Sequence, residues 1–100
     1  MTMDNPEIGK TYVFVRRIDG HIEHTEFSRH ADGSAGFLAD QMYHVYENDP
    51  DSWKDALAHL ERLGFVEARE AKTRGIVPQA WEPTAESSAI MACRGPIDIS

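Results

Sequence analysis

The chain has little of what marks an exported, disulfide-bonded or membrane-spanning protein. Its single cysteine, Cys93, excludes a disulfide within the chain and fits a reducing compartment. No apolar run approaches the about 20 residues that a membrane helix needs. The first ten residues also lack the apolar stretch of a secretion signal. We therefore expect a soluble, cytoplasmic protein.

Motifs of catalysis and cofactor binding are missing as well. The seven glycines are scattered, so the chain has neither a phosphate-cradling loop nor a dinucleotide fingerprint. His21 and His24 lie three apart on a predicted strand and so point to opposite faces. Asp40 and His44 lie four apart on a predicted helix, but two helical ligands alone do not make a metal site. We expect no metal and no cofactor. An enzyme centred on Cys93 or His44 is one alternative function.

Positive charge is also scarce. The chain has 10 basic and 17 acidic residues, a formal net charge of −7. Residues 32–61 alone hold seven acids and one base, a net of 1 − 7 = −6. Phosphate binding relies on clustered Lys and Arg, so non-specific attraction to nucleic acid or to an anionic membrane is not expected. A localised acidic surface indicates instead a protein partner of opposite charge.

Length and composition predict one α+β domain. One hundred residues, 41% hydrophobic and 27% charged, suffice for a single core. The pattern divides the chain into a loose lead-in (1–10), a β-hairpin (11–28), a pair of amphipathic helices (34–63), a second hairpin or small antiparallel sheet (65–81) and a tail (82–100). The tail's run SAIMAC fits a strand or a short helix equally well.

The hairpin at residues 11–28 follows from its turn. The β-rich runs TYVFVRRI and HIEHTEFS flank Asp19-Gly20, which suits a type I′ turn because both central residues need positive φ. This turn sets the register of the pairs Ile18 with His21, Arg16 with Glu23, Phe14 with Thr25 and Tyr12 with Phe27. The residues expected to form the core face are Tyr12, Phe14, Ile18 and Phe27.

The pattern of residues 34–47 predicts the first helix, because apolar residues recur there at helical spacing. These residues are Ala35, Leu38, Met42, Val45 and Tyr46. Asp32 or Ser34 is placed to cap the start of this helix, and Asn48 to end it.

The second helix begins within NDPDSWKD. Asp49 with Pro50 at the first turn, and Ser52 with Asp55 as a capping box, are alternative starts. The helix ends at Gly64. After the helix, apolar and polar residues alternate from residue 65 to residue 70, which predicts a strand. AKTRG then provides a turn, and residues 76–81 are expected to return as an edge strand.

The run LERLGFVEAREAKTRGIVPQAW, residues 60–81, resembles the end of the recognition helix and the wing of winged-helix DNA-binding proteins. The resemblance implies that residues 52–63 are the recognition helix, and that the hairpin after it is the wing. The DNA-contacting residues that it implies are Lys54, Arg62, Lys72 and Arg74. The chain departs from the family in having two predicted helices before the wing where the family uses three, and in carrying Asp55 and Glu61 on the implied recognition helix. A winged-helix-like transcription regulator is the alternative function.

An acidic chain of this size, with a hairpin, two helices and no catalytic set, also resembles the small phage-encoded anti-CRISPR proteins. That resemblance implies an inhibitor in the host cytosol that docks on a basic surface of a nucleic-acid-binding complex and blocks nucleic-acid recognition. The expected partner-binding residues are Asp40, Tyr43, Glu47, Asp49, Asp51 and Asp55. The candidate aromatic anchors beside them are Tyr43, Tyr46 and Trp53. Acidic residues on the polar side of a helix are also expected simply because that side faces solvent. Both interpretations, a binding surface and a solvated face, stay open.

Overall fold

A computed structural model describes residues 5–83 of the chain. Its elements are β1 (Thr11–Ile18), β2 (His21–Arg29), β3 (Ala35–Ala39), β4 (Met42–Tyr46), α1 (Ser52–Arg62), β5 (Val66–Glu67) and α2 (Ala68–Thr73). The strands form one antiparallel sheet in the order β4-β3-β2-β1-β5. The predicted α+β class is confirmed. The predictions for residues 84–100, including the SAIMAC run and Cys93, lie outside the described residues.

The first hairpin is confirmed in position and register. Ile18 pairs with His21, and the ladder continues through Arg16 with Glu23 to Thr11 with Ser28. Asp19 and Gly20 have φ values of 52° and 81°, as a type I′ turn requires. Asp-Gly therefore positions the two longest strands of the described sheet.

The helix predicted for residues 34–47 is wrong. The segment forms a second hairpin, β3 and β4, with Ala39 opposite Met42 and Asp40-Gln41 as the turn. Asp40 and Gln41 both have positive φ, 51° and 66°, so this turn is also of type I′. The spacing that fits a helical stripe also fits two short strands, because apolar residues lie on both faces of β3.

Asp32 and Ser34 consequently cap no helix. The Asp32 carboxylate accepts hydrogen bonds from the Ser34 amide at 2.9 Å and from the Ser34 hydroxyl at 2.7 Å, within the turn from β2 to β3. These two bonds are the main reason that the pKa of Asp32 is lowered.

The second helix is confirmed as α1, with its start at Ser52. The capping box does not form, because Ser52 is the first helical residue and not the N-cap; its hydroxyl accepts from the Asp49 amide at 3.0 Å. Asp51 occupies the N-cap position without a side-chain cap bond. Gly64, at φ +96°, ends the helix as expected, while the Phe65 amide reaches back to the Leu60 carbonyl at 3.0 Å.

The second predicted hairpin, at residues 65–81, is also wrong. β5 is a two-residue strand that pairs with β1, and α2 follows it directly. Glu67 starts this helix, because its carboxylate accepts from the Arg69 amide at 3.2 Å. Residues 76–81 form no strand. The segment that the winged-helix resemblance assigns to a wing therefore contains a six-residue helix where a hairpin was expected.

The sheet has an inner face, covered by α1, and an outer face, partly covered by α2. The inner core contains Tyr12, Phe14, Phe27, Ala35, Phe37, Ala39, Trp53, Ala56, Leu57, Leu60 and Phe65. Three of the four predicted core residues of the first hairpin are buried there, whereas Ile18 is only partly buried. On the outer face, Val15, Ala71 and Val77 form a second, smaller core under α2. In the described part of the chain, neither helix is long and apolar enough to cross a membrane.

Candidate protein-binding surface

Two loops that meet at Gly33 and Pro50 position most of the predicted acidic surface. The Trp53 amide donates to the Gly33 carbonyl at 2.8 Å, which ties the start of α1 to the turn after β2. Gly33 has a φ of +87°, and an added Cβ would overlap the backbone of Pro50. Only glycine fits this approach, because other residues rarely adopt that φ and their Cβ has no room. The loop that carries Asp49 and Asp51 is therefore fixed against the sheet.

The acidic surface consists of Glu47, Asp49, Asp51 and Asp55, all exposed. Asp49 accepts from the Asp51 amide at 2.8 Å, so one of its oxygens stabilises the loop. Asp51 lies 3.8 Å from the ammonium group of Lys54, but both side chains are more than 60% exposed, so the pair contributes little to stability. Within residues 5–83, no hydrogen bond or ion pair engages the carboxylates of Glu47 and Asp55. The acidic surface thus presents carboxylates that folding has not neutralised.

Asp40 differs from the other predicted acids, because a cation of the same chain already engages it. Its Oδ1 accepts from Arg16 Nη2 at 2.7 Å, although the side chain is 55% exposed. Arg16 also donates to Glu23 and to the Leu63 carbonyl. The sequence placed Asp40 on a helix and Arg16 on a strand, whereas the second hairpin brings them together.

Tyr43 is the only one of the three predicted aromatic anchors that is exposed. Its side chain is 62% exposed and lies across Gly36, where an added Cβ would press against the phenol ring. Tyr46 donates to or accepts from His59 Nδ1 at 2.7 Å. Trp53 is only 6% exposed and lies under the guanidinium of Arg29, 4.4 Å from the ring centroid. Tyr46 and Trp53 therefore contact other residues of the fold and are not exposed anchors.

Two exposed apolar residues of β4 were not among the predicted site residues. Met42 is 60% exposed and Val45 is 53% exposed, on either side of Tyr43. A helix would have turned both toward the core. The run MYHVY is rich in residues that favour strands, but the exposure of both side chains depends on β4 standing last in the described sheet, which the run itself does not indicate.

His44 and His59 hold β4 against α1. Their ring centroids lie 4.6 Å apart, and both rings pack against Phe37. Burial is the main reason that the pKa of His59 is lowered, with smaller contributions from His44 and Arg62, while Asp40 opposes the shift. Across the described ranges, no three His, Cys, Asp or Glu side chains come together as metal ligands.

The four basic residues of the winged-helix alternative do not share one surface. Lys54 and Arg62 lie on α1, which covers the inner face of the sheet. Lys72 belongs to α2, on the outer face, and Arg74 follows as the C-cap, 4.0 Å from Glu70. The sheet therefore separates the two pairs.

Comparison of the chain with protein-family models, with curated proteins and with solved structures finds no significant match.

Proposed function

We propose that the chain is an acidic protein-binding inhibitor, acting in the manner that its anti-CRISPR resemblance implies. It docks on a basic surface of a nucleic-acid-binding complex and occupies the cations that would otherwise hold phosphates. Glu47, Asp49, Asp51 and Asp55 make this docking surface.

The observation that carries the proposal is that these carboxylates are held on a fixed loop and helix start yet remain exposed. The Gly33 and Pro50 contact orders the loop before any partner arrives, so binding costs less conformational entropy. Exposed carboxylates attract a basic partner over distance and raise the rate of association. Tyr43 is exposed on the outer face of the sheet, opposite the face that α1 covers, so the carboxylates alone form this surface.

Capture from a cell lysate tests the acidic surface. The test variant changes Asp49, Asp51 and Asp55 to Asn, which removes three charges. The side-chain oxygen at residue 49 can still accept from the amide of residue 51. The matched control changes Glu7, Glu26 and Glu82 to Gln. These are also exposed, and the change in net charge is identical.

We expect the native chain and the control to capture the same basic nucleic-acid-binding complex, while the test variant loses it. Capture should fall as salt rises, because exposed charges are screened over about 8–10 Å at physiological ionic strength. Equal capture by both variants would show that net charge, not this surface, attracts the partner. The chain could instead slow the migration of DNA in a gel at low salt. If that mobility shift vanished after Lys72 and Arg74 were changed to Gln, the transcription-regulator alternative would replace the inhibitor.

A further inference from the structure

Within residues 5–83, the outer face of the sheet is covered on one half only. On the covered half, α2 and the residues after it pack over β1 as the second, smaller core. On the other half, Leu38, Tyr43 and Val45 lie together, because the register places Tyr43 opposite Leu38 and Val45 opposite Gly36. Tyr43 is 62% exposed and Val45 is 53% exposed. Leu38, Tyr43 and Val45 form an outer patch, and contiguous exposed apolar side chains often mark a contact surface.

The described chain leads to the border of this outer patch. After α2 it returns over the outer face, where Trp81 packs against the second core. The Trp81 ring lies 5.9 Å from the ring of His24 on β2, and β2 is the neighbour of β3 in the sheet. Residues 84–100 are therefore attached between the covered half and the outer patch.

The polar run TAESS, residues 84–88, is long enough to reach the outer patch. Two strand spacings, about 10 Å, separate β2 from β4. The register that sets Ser28 opposite Gly36, extended along β2, places Tyr43 two residues from His24, about 7 Å along the strands. The two displacements combine to about 12 Å, whereas five residues span up to about 17 Å. The run AIMAC that follows can therefore reach the patch.

We propose that residues 89–93 of the same chain, AIMAC, cover the outer patch. Ile90 and Met91 supply aliphatic side chains, and their burial against Tyr43 and Val45 removes apolar surface of both segments from water. A segment that is joined to its docking surface by a short linker acts at an effective concentration on the order of millimolar. It therefore needs much less contact area than a separate molecule would.

Charge also favours this segment over a second copy. Residues 84–100 carry one base and two acids, a net of 1 − 2 = −1, whereas a second copy would bring a formal −7 toward a chain that is itself acidic. The contact is apolar, so added salt should not release it. Docking of this segment and docking of a basic partner on the acidic surface are therefore independent, and either can fail without the other.

The reactivity of Cys93, which lies in the AIMAC run, tests the proposal with the full chain. We expect its thiol to react with a chromogenic disulfide reagent at least tenfold more slowly in the native chain than in urea, at low and at high salt. Val45→Lys places a charge in the outer patch and should raise the native rate at least fivefold. Met42→Lys is the matched control, since Met42 is 60% exposed on the same strand but faces inward, and it should keep the native rate. Circular dichroism checks that both variants are folded.

Equal rates for the two lysine variants, or a native rate as fast as that in urea, would overturn the proposal. Disulfide trapping then locates the segment. With a mild oxidant, Val45→Cys should bond to Cys93 within one chain at least fivefold faster than Met42→Cys does, as peptide mapping measures. No preference between the two positions would overturn the docking site. A bond between two chains, seen as a doubled mass without reductant, would assign the patch to a second copy instead.

Discussion

Replacing Arg16 should destabilise the chain more than any other single change of a charged residue in the described structure. The Arg16 side chain is 6% exposed and donates to Glu23 Oε1 from Nε at 3.1 Å and from Nη2 at 2.9 Å. Its Nη1 donates to the Leu63 carbonyl at 2.9 Å, just past the end of α1. The guanidinium also lies 4.6 Å from the ring centroid of Phe65. Burial opposes the charge of Arg16, but the bonds to Asp40 and Glu23 outweigh it and raise the pKa.

The magnitude follows from what Arg16→Met leaves behind. Glu23, whose side chain is 14% exposed, would lose its cation, and removing one member of a buried ion pair costs about 3–5 kcal/mol. Asp40 is 55% exposed, so water takes the place of Arg16 there at little cost. We expect a loss of about 3 kcal/mol, equivalent to a fall in melting temperature of roughly 12–24 °C for a domain of this size.

Urea unfolding followed by tryptophan fluorescence and circular dichroism measures this loss. Arg17→Met is the matched control, because Arg17 is exposed and makes one bond, to the Ile76 carbonyl at 2.8 Å. The control should lose about 1 kcal/mol or less. Adding Glu23→Leu to Arg16→Met should restore at least about 1 kcal/mol, since it removes the stranded carboxylate. Equal losses for the two arginine variants, or no recovery in the double variant, would refute the reasoning.

Two further changes probe the loop junction and the histidine contact. Gly33→Ala should cost about 2–4 kcal/mol in urea unfolding, because it adds a clash with Pro50 to the strain of positive φ, whereas Gly9→Ala, with φ +83° and open space, should cost only about 1 kcal/mol; equal costs would exclude the clash. His59 has a lowered pKa, so the unfolded chain binds the proton more tightly, and the stability that neutral His59 confers is lost as pH falls below about 6.5. Stability measured from pH 7 to pH 5 should fall less in His59→Gln than in the native chain, while the exposed control His30→Gln should keep the native slope; an unchanged slope in His59→Gln would exclude His59 as the cause.

The sequence predicted the first hairpin because its turn carries an unambiguous signal. Asp19-Gly20 fixes both φ values and the register, and the ladder from Ile18 to Thr11 follows from it. The second hairpin has the same turn geometry but uses Asp40-Gln41, two residues without glycine. Positive φ is uncommon outside glycine, asparagine and aspartate, and Gln41 is none of these, so the sequence of this turn did not indicate it.

Short elements explain the remaining errors. β3 and β4 have five residues each, too few for period 2 to be told from period 3.6. α2 has six residues, and the alternation of residues 65–70 concealed its start at Glu67. In contrast, α1 is eleven residues long, and both this helix and its end at Gly64 were correctly predicted.

The candidate site was predicted in part for the same reasons. The acids of the loop and of α1 were found, because net charge can be counted without a structure. That Arg16 engages Asp40 was not predicted, since the contact spans 24 residues and depends on the second hairpin. The exposure of Met42 and Val45 was missed because it depends on β4 lying at the edge of the sheet.

The most direct test of the account is a competition experiment on the captured complex. The complex is loaded with labelled nucleic acid, and the native chain, the Asn variant at residues 49, 51 and 55, and the Gln variant at residues 7, 26 and 82 are each titrated in. The account predicts that the native chain and the Gln variant displace the nucleic acid at similar concentrations, whereas the Asn variant needs at least tenfold more. Nucleic acid that stays bound at saturating native chain, or equal displacement by the two variants, would contradict it.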